Sequence, residues 1–96
     1  MSATFPRKRV GVLISGRGSN MVSLAEAAQA PGYPAEIALV ISNIPDVAGL
    51  ERARDFGIAT ATVDHRSFGK DREAFERAVD EVLRVNQIEL AAHVRG

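Results

Sequence analysis

With 96 residues and twelve basic against twelve acidic side chains, the chain is one small domain without formal net charge, which argues against nucleic acid or an acidic membrane surface as its main partner. It has no cysteine, so disulfides and thiolate metal sites are excluded and nothing demands an oxidising compartment. No apolar stretch approaches the roughly 18 residues of a membrane span and the N-terminus lacks the apolar core of a secretion signal, so a cytoplasmic protein is expected.

In chain order, residues 1–9 read as a flexible lead-in, with Pro6 discouraging regular structure and Arg7-Lys8-Arg9 forming a solvated basic tail. A single domain, 10–96, follows. Val10 to Ile14 is continuously apolar, as in a parallel strand covered on both faces, and the strand is expected from about Arg9. Beyond the turn at Ser15 to Asn20, Met21, Leu24, Ala25 and Ala28 recur at helical spacing and predict a helix to about Gln29. Pro31-Gly32-Tyr33-Pro34 stops it, and Ala35 to Ile41 gives a second strand.

Asp46 is placed to cap a second helix, Val47 to about Phe56, with Gly57 at the left-handed closing position and Ile58 packing back. A short third strand, Ala59 to Val63, leads into a polar loop, Asp64 to Lys70. A third helix, about Asp71 to Val85, carries Phe75, Ala78, Val79, Val82 and Leu83 on one face, and a fourth strand begins near Ile88. Successive strand-helix units predict an α/β, Rossmann-like parallel sheet with flanking helices, in the order 3-2-1-4. Ligands of such sheets sit at the carboxyl ends of the strands where the order reverses, here between strands one and four.

The turn after strand one carries the functional signal. Gly16-Arg17-Gly18 opens a G-x-G-x-x-G pattern, but its third position is Met21, and strand two ends in Ser42-Asn43 without the acidic residue that holds a dinucleotide ribose. No Gly-Lys-Ser/Thr follows, so a Walker loop is absent as well. A single phosphate on Gly18, Ser19 and Asn20 fits better, favoured by the first N–H groups of the helix and by its dipole. The competing reading is that Ser19 and Asn20 cap the helix and the glycines only permit the turn.

L-I-S-G-R-G-S-N at Leu13 to Asn20, V-I-S-N at Val40 to Asn43, G-L-E-R-A at Gly49 to Ala53, G-I-A-T at Gly57 to Thr60 and R-E-A-F at Arg72 to Phe75 together resemble, in order and separation, the N-terminal part of the glycinamide ribonucleotide formyltransferases, folate-dependent enzymes of purine synthesis. The resemblance implies that Gly18, Ser19 and Asn20 hold the phosphate of glycinamide ribonucleotide. It likewise implies that Arg72 lies at the formyl-folate site and that 10-formyltetrahydrofolate is the co-substrate. The family's catalytic Asn and His, two positions apart, its later Asp and its main folate-binding segment have no match within these residues. The ending Ala91 to Gly96, A-A-H-V-R-G, departs from the family pattern.

Two classes of function follow. In the first, the chain is the ribonucleotide-binding part of a formyltransferase and is inactive alone; formyltetrahydrofolate hydrolase, a sibling, usually carries an added domain ahead of the catalytic one, which the short lead-in argues against. In the second, it is a non-catalytic phosphate or mononucleotide module, or an interaction module. His65 and His93 match no catalytic position of the family, and Glu73, Glu76, Asp80 and Glu81 read as the solvated face of helix three. A sheet ending at strand four exposes an edge, so homo-oligomerisation through that edge is expected.

Overall fold

The computed structural model describes residues 8–16 and 18–93. In chain order they form β1 (Lys8–Ile14), α1 (Ser19–Ala28), β2 (Ala35–Ser42), α2 (Ala48–Asp55), β3 (Ala59–Thr62), a 3₁₀ turn (His65–Phe68), α3 (Arg72–Val85) and β4 (Leu90–His93). The strands make one parallel sheet in the order β3-β2-β1-β4, as the sequence predicts. The expected lead-in before Lys8, the last three residues and Arg17 lie outside the described residues.

Two apolar layers hold the sheet. On one face Val10, Val12 and Ile14 of β1 meet Met21, Ala25 and Ala28 of α1 and Leu50 and Ala53 of α2. On the other, Leu39 and Ile41 of β2 and Val63 meet Val79 of α3, with Phe75, Val82 and Leu83 packed alongside. The strand pattern is not a simple alternation. Ile37 and Val40 share the first face although three positions apart, because the β1–β2 register shifts between Val10 and Gly11 and leaves Ala38 without an opposite residue. A bulge of this kind reverses which face the following residues present.

α3 crosses to the second face and is fastened at both ends. Asp71 caps its head, the carboxylate accepting from Ala74 N–H at 3.0 Å. At its tail Gln87 N–H donates to Arg84 O at 3.0 Å and Ile88 N–H to Leu83 O at 2.9 Å, the paired bonds of a Schellman closure. Leu83 and Ile88 then lie over Gly11, where a β-carbon would come within 2.8 Å of Leu83 Cδ2. That close approach is why β1 carries a glycine inside an apolar run. α2 closes the same way, with Gly57 in the expected left-handed position (φ 76) and Ile58 N–H bonded to Ala53 O at 3.0 Å.

Three local expectations are corrected. Arg9 is a fastening side chain: its Nε donates to Gln87 O at 3.2 Å and its second guanidinium nitrogen to Asn86 O at 3.0 Å, placing a cation on the carbonyls at the end of α3. Asp46 does not cap α2; its backbone turns left-handed (φ 56) and the cap position falls to Val47, without a side-chain bond. The polar loop after β3 contains the 3₁₀ turn, which Asp64 nucleates by accepting from Arg66 N–H at 2.9 Å. The predicted open edge is present: among the described residues β4 pairs only with β1, and Leu90 is exposed.

Gln87 occupies the closing position of α3 at φ 58, where any β-carbon is strained and glycine is not. Gln87→Gly is expected to stabilise the fold by about 1 kcal/mol, less the added chain entropy of glycine. Urea melts would show this as a higher midpoint at unchanged slope; a lower midpoint would mean that the side chain, not the backbone, governs this end.

Candidate functional site

The carboxyl ends of the four strands form one rim, with α1 entering on one face of the sheet and α3 on the other. At the end of β1 the chain turns through Gly16 (φ 121) and Gly18 (φ 73) before α1 begins. Gly18 is itself the cap position, in left-handed geometry and with no side-chain cap bond, and its carbonyl accepts the first helical bond, from Val22 N–H at 2.9 Å. Ser19 and Asn20 therefore lie within the first helical turn, both exposed, so neither occupies the cap that the competing reading assigned them. The residues Gly18, Ser19 and Asn20 are brought together at a helix head whose N–H groups and dipole favour an anion.

Arg72 stands at the head of α3, on the opposite face. It is exposed, and among the described residues its guanidinium makes no ion pair. A cation in the first turn of a helix opposes the dipole, so its position gains nothing for the helix. Arg72 borders two clefts. One, about 520 Å³, is shared with Asn43, His65, Lys70 and Phe75; the other, about 440 Å³, runs along α3 between Leu13, Phe75, Leu83 and Ala91. The first cleft thus sets the cations of Lys70 and Arg72 beside the carboxylate of Asp71, which also lines it and whose Oδ1 is engaged by Ala74 N–H.

Asn43 had no assigned role in the sequence beyond ending β2, and the structure gives it one. Its N–H donates to Ile14 O at 3.4 Å and its carbonyl accepts from His65 N–H at 3.1 Å, so its backbone joins the ends of β1 and β2 to the loop after β3. Its side-chain Oδ1 is buried with no hydrogen-bond partner among the described residues, a costly arrangement that a ligand donor would relieve. The signal available in the sequence was the Ser-Asn pair at the carboxyl end of a buried strand.

His65 borders the same cleft and is exposed. His93 closes β4, and its side chain lies outside the described residues. The four carboxylates of α3 are exposed; Glu81 is gripped by Arg84 at 2.6 Å and Glu73 faces Arg77 at 3.9 Å.

Asp64 fixes the loop that walls the cleft. Its carboxylate accepts from Arg66 Nε at 3.0 Å, from a second guanidinium nitrogen at 2.8 Å and from Arg66 N–H at 2.9 Å. The guanidinium bonds foremost, then the backbone bond, hold the carboxyl at about 2, below its ordinary 3.8.

Residues 8–95 match the formyl transferase family. The trifunctional purine biosynthetic protein adenosine-3 of Bos taurus is 48% identical over 79 residues, covering 81% of this chain and 8% of that protein. Phosphoribosylglycinamide formyltransferase of Haemophilus influenzae is 36% identical over 90 residues, 92% of this chain and 42% of the relative. The crystal structure of phosphoribosylglycinamide formyltransferase from Brucella melitensis superposes with a TM-score of 0.85 at 42% identity, over 92% of this chain and 45% of that one. The chain spans less than half the length of each.

Because the folded pKa of Asp64 is depressed, the contribution of its ionised form is complete above the ordinary value and is lost as the pH falls from about 4 towards 2. A carboxyl-carbon NMR titration is expected to show a midpoint near 2 and to report opening of the 64–68 turn on the same curve. Asp64→Asn should abolish that pH dependence. A midpoint at 3.8 would mean that the Arg66 pair does not form in solution.

Proposed function

Because the chain belongs to the formyl transferase family, with phosphoribosylglycinamide formyltransferases among its relatives, we propose that it carries the ribonucleotide half of a formyl-transfer site. The observation that carries this reading is the head of α1: Gly18 left-handed at the cap, with Ser19 and Asn20 exposed in the first turn, at the rim where the strand order reverses between β1 and β4. The phosphate of glycinamide ribonucleotide sits on the N–H groups of that turn and on the Ser19 and Asn20 side chains. So anchored, the substrate directs its amine along the rim.

The reaction joins that amine nitrogen to the formyl carbon of 10-formyltetrahydrofolate and breaks the bond from the formyl carbon to N10, with the amine proton passing to the tetrahydrofolate released. Within this chain Arg72 serves the second substrate. Its guanidinium, exposed and without an ion pair among the described residues, suits the carboxylates of a folate tail. No residue here matches the family's catalytic Asn, His and Asp, so these residues by themselves bind and do not transfer. Taken alone, the chain then behaves as the non-catalytic phosphate-binding module.

NMR titration with glycinamide ribonucleotide is expected to give saturable shifts at Gly18, Ser19 and Asn20, with no formyl product when 10-formyltetrahydrofolate is added. Arg72→Ala should leave the ribonucleotide dissociation constant within about twofold. Saturable binding that bypasses residues 18–20, or turnover by these 96 residues, would sink the proposal.

A further inference from the structure

Gly49, in the first turn of α2, meets the glycine turn backbone to backbone. Its N–H donates to Gly16 O at 3.1 Å, and its Cα lies 2.9 Å from the point a β-carbon on Gly18 would occupy. Gly18 and Gly49 are both buried in this contact. Two consequences follow for an anion at the head of α1. The Gly16 carbonyl, the negative end of a peptide dipole, is bonded to α2 and held from turning towards the ligand. The Gly18 backbone, seated against Gly49, has a fixed height above the sheet.

The head of α2 is in turn fixed through the connection from β2. Ser42 is wholly buried, and its Oγ donates to Ile44 O at 2.6 Å while accepting from Ile44 N–H at 3.0 Å. Asp46 then reverses the chain in left-handed geometry (φ 56), and Leu50 N–H bonds Val47 O at 3.1 Å as the helix opens. Short-range bonds at both ends of this connection, Ser42 with Ile44 and Leu50 with Val47, thus lead from the end of β2 to the Gly49–Gly16 bond under the α1 turn.

We propose that Gly49 is a positioning residue for the anion site: it sets the Gly16–Gly18 turn so that the first-turn N–H groups of α1 converge on one phosphate. This rests on the phosphate reading of the α1 head. Gly49 touches no ligand itself, and its part is separable from fold stability. Gly49 is buried, so Gly49→Ala adds a methyl group where there is little room, yet alanine is the better helix former, so a loss of affinity would run against the propensity gain.

The test is titration of the full chain with ribose 5-phosphate, read at residues 18–20, alongside thermal melts. Gly49→Ala is expected to weaken binding at least tenfold with the melt still cooperative. Ser42→Ala, which releases Ile44, should weaken it about threefold. Gly57→Ala, at a left-handed position with open space around it (φ 76), should lower the melting temperature and leave affinity unchanged. A folded Gly49→Ala that binds within twofold of wild type overturns the proposal. If that variant does not fold, unchanged affinity in Ser42→Ala overturns it. Wild type without saturable shifts overturns the phosphate reading itself, and the positioning role with it.

Discussion

The fold depends on β1 being flanked on both sides by parallel partners. Val10 to Ile14 pairs with β2 along its whole length and with β4 from Val10 to Leu13, and its side chains feed both apolar layers. Parallel pairing requires crossover connections, and a right-handed crossover places a helix on a face according to which neighbour it leads to. The steps from β1 to β2 and from β2 to β3 therefore put α1 and α2 together, and the step back to β4 puts α3 opposite. The carboxyl end of β1 is where these directions part, so the glycine turn opens onto a rim approached from both faces.

The two faces are secured differently. α1 and α2 bury small residues, Ala25, Ala28 and Ala53, against the sheet, and their heads meet through glycine. α3 has only Val79 fully buried and relies on its ends: the Asp71 cap at one, Arg9 and the Gln87 closure at the other. Arg9 stands at the base of β1, with its N–H on Glu89 and its guanidinium on the last carbonyls of α3. The end of α3 is thereby tied to the strand that carries the glycine turn. A charge-assisted bond of this kind is stronger than a neutral one, which suits a helix with little buried area.

Most of this architecture was legible in the sequence because its signals are local and redundant. The apolar runs, the stripe at Phe75, Ala78, Val79, Val82 and Leu83, the stop at Pro31-Gly32 and the closure at Gly57 each rest on near neighbours, and the strand order is the one expected of a doubly wound sheet. What escaped depends on partners distant in sequence. Arg9 looks like part of a basic tail until the end of α3, nearly 80 positions on, is placed above it. The bulge at Ala38 is invisible in a run apolar at every position, and Asp46 offered a cap residue whose backbone geometry turned it away. At the site, Gly18, Ser19 and Asn20 were marked by composition and spacing, whereas the orphan Oδ1 of Asn43 exists only because strand ends, loop and α3 converge on it.

The division of the rim bears on what the proposed phosphate seat would contribute to a transfer reaction. A phosphate lies far from the amine that reacts, so its contacts are equal in ground state and transition state and do not by themselves lower the chemical barrier. Their value lies in orientation: once one end of the substrate is fixed, the amine need only find the formyl carbon within a small volume. Well-oriented intramolecular reactions reach effective concentrations of about 10⁵ to 10⁸ M. That gain requires both substrates to be held by one rigid body. In the proposed site the α1 turn and Arg72 are linked through β1, β2, the Asn43 backbone and the loop after β3 that Asn43 bonds at His65, so strand ends and that loop together set the distance between them.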